Sequence, residues 1–386
     1  MRTLITTVAC LSMLQTSAIM AQTIVRSWRV GGGASPLELG YDPVTDLVWF
    51  ADGGHNGLQG CQRTTGWYCT GFILPKHPLS SQPRVDLAAA VKVDRRSGCL
   101  WTADQLGKIV YDVTPDGKLA GRGFRFAPIL EECSGLALDS ETDTLYVLDT
   151  TKNLIAHYNF EGRLLRTIDV SVAGVQNLSG LTYVSTTRTL LTVDRHPNSR
   201  AVFEMSRNGS RLRSWSLVGL AIWGPGGIDV DTRSGSVFVA AASSYIYELS
   251  GILADCPANR VVSFGTACAD SNKILPQLAC SDCPTVGTYL VLGHGHSIWP
   301  AISGSSLYVL GAQRAQIDLS MLQPGCVLWV QPLALLGWQP LKLGRGGIGI
   351  NVPNDPALRG ARIDAQELTF ETGRFSATHG LEMLFQ

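Results

Sequence analysis

The chain repeats itself, and the repeat limits what it can fold into. The block Glu38-Leu-Gly-Tyr-Asp-Pro-Val-Thr-Asp-Leu-Val-Trp-Phe-Ala-Asp52 returns, with the same pattern, at Ala90 to Asp104, Gly135 to Asp149, Gly180 to Asp194 and Gly227 to Ala241. From Asp42 to Asp94, Asp139, Val184 and Asp231 the steps are 52, 45, 45 and 47 residues. A period of that size marks one supersecondary unit per repeat, whose apolar face only a neighbouring unit can bury. Within each block an apolar run, an Asp-led turn and a second run rich in Leu, Val, Tyr and Trp predict two short antiparallel strands. The Asp opening the turn can accept hydrogen bonds from amides two and three residues on, and the Gly or Asp closing it tolerates a left-handed backbone.

A third strand is expected at Lys108 to Val113, Leu154 to Phe160 and Ala201 to Met205. Hairpin pairs follow at Asp116-Gly117, Glu161-Gly162 and Asn208-Gly209, and then a fourth strand at Lys118 to Phe126, Arg163 to Val170 and Arg211 to Leu217. Four antiparallel strands make one propeller blade. The segment Ile24 to Val30 resembles the fourth strand at Leu212 to Leu217, yet it precedes the first block, while the last block stops at its third strand, Tyr245 to Leu249. The N-terminal strand is therefore expected to complete the last blade, which hides two sheet edges. The longer step after Asp52 reads as an insertion loop holding Cys61 and Cys69, a pair able to close a hairpin. The fold class is all-β: a five-bladed β-propeller over 22–252, a linker at 253–262 and a β-sandwich module over 263–386.

Residues 1–21 read as a secretory signal peptide, with Arg2 as the basic start, an apolar run from Leu4 to Met20 and small residues near Ala21. No later segment is a membrane span, so a secreted, periplasmic or cell-surface location is expected. Nine cysteines remain beyond Cys10, and an oxidising compartment makes disulfides their default state. Cys280-Ser-Asp-Cys283 has a CxxC spacing without a second CxxC, which favours a structural pair over a metal or redox centre. Past Ile252 the repeat stops, and alternating apolar runs, about seven in all, include Thr288 to Gly293, Ser305 to Gly311, Arg362 to Phe370 and Leu381 to Gln386.

The loops that follow each second strand should share one end of the propeller, where such folds bind ligands. Asp52, Asp104, Asp149 and Asp194 hold equivalent positions there, with Ala241 in the fifth repeat. A carboxylate ring suits calcium, whereas a local cap on each loop explains why the Asp recurs in nearly every repeat. Asymmetry comes from His55, Lys152-Asn153, Arg195-His196 and Trp223. His294-Gly-His296 would place two imidazoles on one strand face, with surface histidines as the plainer expectation. Lys+Arg 31 against Asp+Glu 31 leaves no basic excess for nucleic acid, and Gly-x-Ser-x-Gly, Walker and His-Glu-x-x-His motifs do not occur.

The form Gly-Leu-Ala-x-Asp-x-x-Thr-x-x-Leu-Tyr-Val-x-Asp, carried by Gly135 to Asp149 and its copies, resembles the NHL and gluconolactonase-like group of bacterial β-propellers. That resemblance covers five stretches. It implies either a binding protein or an enzyme that holds a divalent metal with Glu, Asn and Asp; Glu131, Glu132, Asn177 and Asp194 are of the right types, but Cys133-Ser134-Gly135 replaces the group's Glu-Gly-Pro entry. The elements Phe264 to Cys268, Pro324 to Val330, Val352 to Leu358 and His379 to Gln386 look like a C-terminal module appended to secreted bacterial repeat proteins, a module with no established catalytic residues. The leading expectation is a monomeric, non-catalytic propeller that binds an extracellular protein or glycan through its channel face and requires no cofactor. The second is a metal-dependent lactonase or lyase using Glu132, Asn177 and Asp194 around calcium or zinc.

Overall fold

The computed structural model describes residues 22–386 apart from 32–33, 81, 83–84, 86, 172–176, 198–199, 221, 243, 254–259, 274, 281–283, 296–303, 342–344 and 372–373. The leader, most of the linker, His296 and Cys283 thus lie outside the described residues, as does the side chain of Cys69. Five four-stranded antiparallel sheets form the propeller. Their inner strands are Pro36–Asp42, Ala88–Val93, Gly135–Asp139, Leu178–Val184 and Pro225–Asp231. The strand Thr23–Arg29 pairs antiparallel with Tyr245–Ser250, setting Trp28 opposite Ile246, so the N-terminal strand closes the fifth blade.

The Asp-led turns form as their composition dictates. Asp42 accepts from the Val44 amide and the Thr45 hydroxyl, Asp94 from Arg96 and Ser97, Asp139 from Glu141 and Thr142, and Asp231 from Arg233 and Ser234. The fifth turn position has positive φ in every blade, at Asp46, Gly98, Asp143, Arg188 and Gly235. That is why Gly or Asp recurs there, and why Arg188 is the strained exception.

One expectation fails at the first blade. The segment around Cys61 and Cys69 is not an insertion loop: Gly57–Gln62 and Tyr68–Ile73 are the third and fourth strands of that blade. Glycines and glutamines break the apolar alternation here, and the pairing itself requires one of them, because a β-carbon on Gly57 would sit 2.4 Å from the Phe72 carbonyl oxygen.

Blades pack face to face through apolar layers, such as Trp101, Phe124, Leu145 and Tyr158 between the second and third. At the axis the inner strands approach closely. β-carbons on Gly135 and Gly227 would lie 2.7 Å from Gly180 backbone and 2.4 Å from Glu38 Cα.

Beyond the linker, Val261–Phe264, Gly380–Leu384, Arg362–Glu371, Gly304–Gly311 and Ala334–Pro340 form one sheet in that order, with Arg374–Ala377 added to Arg362–Glu371. A second sheet holds Gln277–Cys280, Tyr289–Gly295 and Arg345–Asn351. Leu278, Leu290 and Leu292 of the second share a core with Tyr308, Ala365 and Met383 of the first, and Cys268–Cys326 ties residues 58 apart. The strands number eleven among the described residues rather than about seven; Gln277–Cys280 and Arg374–Ala377 are only four residues long, too short for a clear alternating run.

The second sheet covers one end of the propeller. A β-carbon on Gly293 would lie 2.8 Å from Val44, and Gly347 lies as tightly against the Arg96 backbone. Glycines let the strands lie flat on the turns of the first two blades. The opposite end, where the second strands finish, is not covered by this sheet.

Candidate functional site

At that open end the four repeated aspartates are buried and engaged with nearby amides. Asp52 accepts from the Ser35 and Gly54 amides, Asp104 from Gly107, Asp149 from Glu131, Glu132 and Lys152, and Asp194 from His196. Burial alone would raise the Asp149 carboxyl, but the Thr151 hydroxyl and these amides hold it below its usual range. Recurrent capping of this kind fixes loop shape in four blades.

The residues that differ between blades project from these capped loops. His55 Nδ1 lies 2.6 Å from Asp52 Oδ2, so a buried carboxylate orients an exposed imidazole. Glu132 accepts from the Ser134 hydroxyl and Thr151 amide. Lys152 donates to the Ile129 carbonyl and pairs with Glu131. Arg195 Nε donates to Asn177 Oδ1 at 3.1 Å. Trp223 is 64% exposed, and its ring lies 4.1 Å from the guanidinium of Arg200. Arg200 is itself buried and donates to the Ile222 carbonyl at 2.7 Å, which fixes the indole from below. The oxygens of Glu132, Asn177 and Asp194 thus serve protein donors, and among the described residues no group of three or more His, Cys, Asp or Glu is placed to hold a metal ion.

The axis of the propeller holds side chains that the repeat pattern does not single out. Glu38 is fully buried; Oε1 accepts from the Leu39 and Ile228 amides and from Lys92 Nζ, and Oε2 from the Leu181 amide. Lys92 also donates to the carbonyls of Leu39 and Ile228, and Asp229 accepts from the Tyr41 amide and the Thr182 hydroxyl. Inner strands have one unpaired edge facing the axis, and a buried amide or carbonyl left there is costly. Glu38, Lys92 and Asp229 satisfy those groups for three blades at once. Burial pushes Glu38 up to about 7, against the pull of Lys92 and the amides. A signal was present: Glu38, Lys92, Thr182 and Asp229 are polar at alternate positions of otherwise apolar inner strands, and alternation of period two turns them to one face.

His294 is not a surface histidine. It is buried, with Nδ1 2.6 Å from the Tyr308 hydroxyl, in the core between the two C-terminal sheets. The Cys133 thiol is buried, and that burial raises its pKa above the ordinary thiol value.

No protein-family model and no curated protein matches the chain. Several solved propellers are similar to it. A luciferin-regenerating enzyme aligns with a TM-score of 0.40 and 10% identity over 59% of this chain and 95% of that one. The Pan2 WD40 domain of Neurospora crassa aligns with a TM-score of 0.38 and 9% identity, covering 61% and 97%. A gluconolactonase-like β-propeller aligns with 0.38 and 16%, covering 58% and 91%.

Proposed function

We propose that the protein is an extracytoplasmic recognition propeller that binds a protein or glycan partner through its open end, without catalysis and without a cofactor. The observation that carries this reading is Trp223. An exposed indole held in place by a buried arginine is already in its bound orientation, and such anchors supply most of the energy in recognition surfaces. Arg195 and His196 follow the second strand, Thr189–Asp194, of the preceding blade. The axis supports the same reading, because Glu38, Lys92 and Asp229 are engaged there with amides and carbonyls of the inner strands. The leader at 1–21 and the Cys268–Cys326 disulfide fit export to an oxidising compartment, and the C-terminal region, read as a β-sandwich, serves as a platform that leaves the recognition end free.

The test uses residues 22–386, immobilised and exposed to separated protein and glycan fractions of the cell envelope. Trp223→Ala, and separately Arg195→Ala with His196→Ala, should each release the captured partner while leaving the melting temperature within about 2 °C of the parent, as surface changes do. Unchanged capture by both variants refutes the assignment of this end.

A further inference from the structure

A concave surface lies on the first blade. It is a groove of about 480 Å³ lined by His55, Gln59, Tyr68, Phe72 and Ile73, with Gly31, Gly57 and Gly71 as its floor. That volume is in the range of small-molecule sites. Among the described residues, no Lys, Arg, Asp or Glu lines it.

Its polar groups are oriented from behind. Asp52 is buried and holds both His55 Nδ1 and Gln59 Nε2. This anchoring leaves His55 Nε2, the Gln59 carbonyl and the second Gln59 amide hydrogen for a ligand. One wall is aromatic. Tyr68 is 63% exposed and folds over Gly71, where a β-carbon would come within 2.8 Å of the tyrosine hydroxyl. The Phe72 ring instead packs onto the buried Trp49, with ring centroids 6.2 Å apart, and the exposed Ile73 side chain completes the groove. An aromatic face beside fixed neutral donors and acceptors suits a ligand that presents C–H faces and hydroxyls together. The absence of charged liners disfavours phosphates, uronates and cations, while an apolar ligand would leave the oriented His55 and Gln59 unpaired.

We infer that this groove on the first blade is a binding site for a neutral saccharide, with Tyr68 as the stacking wall and His55 and Gln59 as the hydroxyl partners. The inference rests on the reading of the protein as one that binds and does not transform, but the groove's lining includes none of Trp223, Arg195 and His196. Asp52 is a positioning residue here, already saturated by its own neighbours.

The experiment is titration calorimetry of residues 22–386 with maltotetraose, cellotetraose and chitotetraose, with oligogalacturonate as a charged comparator and an extended hydrophobic peptide as a strand-adding one. At least one neutral oligosaccharide should bind, and Tyr68→Ala and His55→Ala should each weaken it about tenfold or more. Tyr68→Phe should retain binding, because it keeps the stacking face, and Trp223→Ala should leave it unchanged. Binding of all three neutral probes weaker than about 10 mM, preference for the oligogalacturonate or the peptide, or equal binding by Tyr68→Ala would each overturn the inference. Loss of binding in Trp223→Ala alone would overturn the groove while sparing the open-end reading.

Discussion

Replacing Lys92 by Met tests the axis directly. The Lys92 side chain is 4% exposed, and methionine keeps most of its apolar stem, so the packing term nearly cancels and the loss is electrostatic. The variant strips the Leu39 and Ile228 carbonyls of their donor and leaves Glu38 without its cation. Two charged hydrogen bonds at roughly 1.5–3 kcal/mol each, and the roughly 3–5 kcal/mol cost of breaking a buried ion pair, describe the same loss from two sides. We expect about 4 kcal/mol, or a fall in melting temperature of about 8–16 °C for a unit of this size. Trp49 and Trp101, both buried in the propeller, report its unfolding by fluorescence during urea denaturation near neutral pH. Adding Glu38→Gln removes the stranded charge, so the double variant should be less destabilised than the sum of the singles by about 1–3 kcal/mol. A Lys92→Met loss below about 1 kcal/mol, or strict additivity, would refute the account of the axis.

Two buried groups set opposing pH dependences. Glu38, raised to about 7, binds its proton more tightly in the native state, so its contribution falls as pH rises from the ordinary carboxylate value towards neutrality. His157, lowered to about 4 by burial with Arg166 and Arg207 nearby, makes native stability rise with pH from about 4 to the ordinary imidazole value. Between about pH 4.5 and pH 6.5 the parent should therefore be nearly level, while Glu38→Gln gains about 2 kcal/mol across the window in urea titrations; a level Glu38→Gln profile would contradict this. Gly227→Ala forces a β-carbon into the Glu38 backbone and should cost at least about 2 kcal/mol by the same assay. The double variant Cys268→Ser/Cys326→Ser frees a loop of 58 residues and should cost the C-terminal region about 4 kcal/mol on the chain-entropy model, leaving the Trp49 and Trp101 signal in place.

The repeat made the propeller legible because its turns are local chemistry: Asp42, Asp94, Asp139 and Asp231 each specify a turn from within five residues. Closure was legible for a related reason, since Ile24 to Val30 carries a fourth-strand pattern without a preceding third. The outer half of the first blade was hidden because its pairing depends on glycines, which leave no periodic signal. The axis was hidden for another reason. Glu38, Lys92 and Asp229 meet only after the ring has closed, from blades far apart in sequence, and no single repeat contains the pattern. The buried contact of His294 with Tyr308 is of the same kind, a side chain polar in sequence whose partner comes from another sheet.

The closing strand carries a consequence for how the ring is made. Thr23 and Ser250 touch across 227 residues of sequence, so the joint is the longest-range pairing in the propeller and among the slowest to form. Until Thr23–Arg29 arrives, Tyr245–Ser250 is an open edge with a fixed register, and any chain presenting the same segment fits it as well as its own does. Two molecules folding side by side can therefore exchange clasps and emerge as an intertwined pair with every blade complete, so concentration during refolding, rather than final stability, decides whether the ring closes on itself.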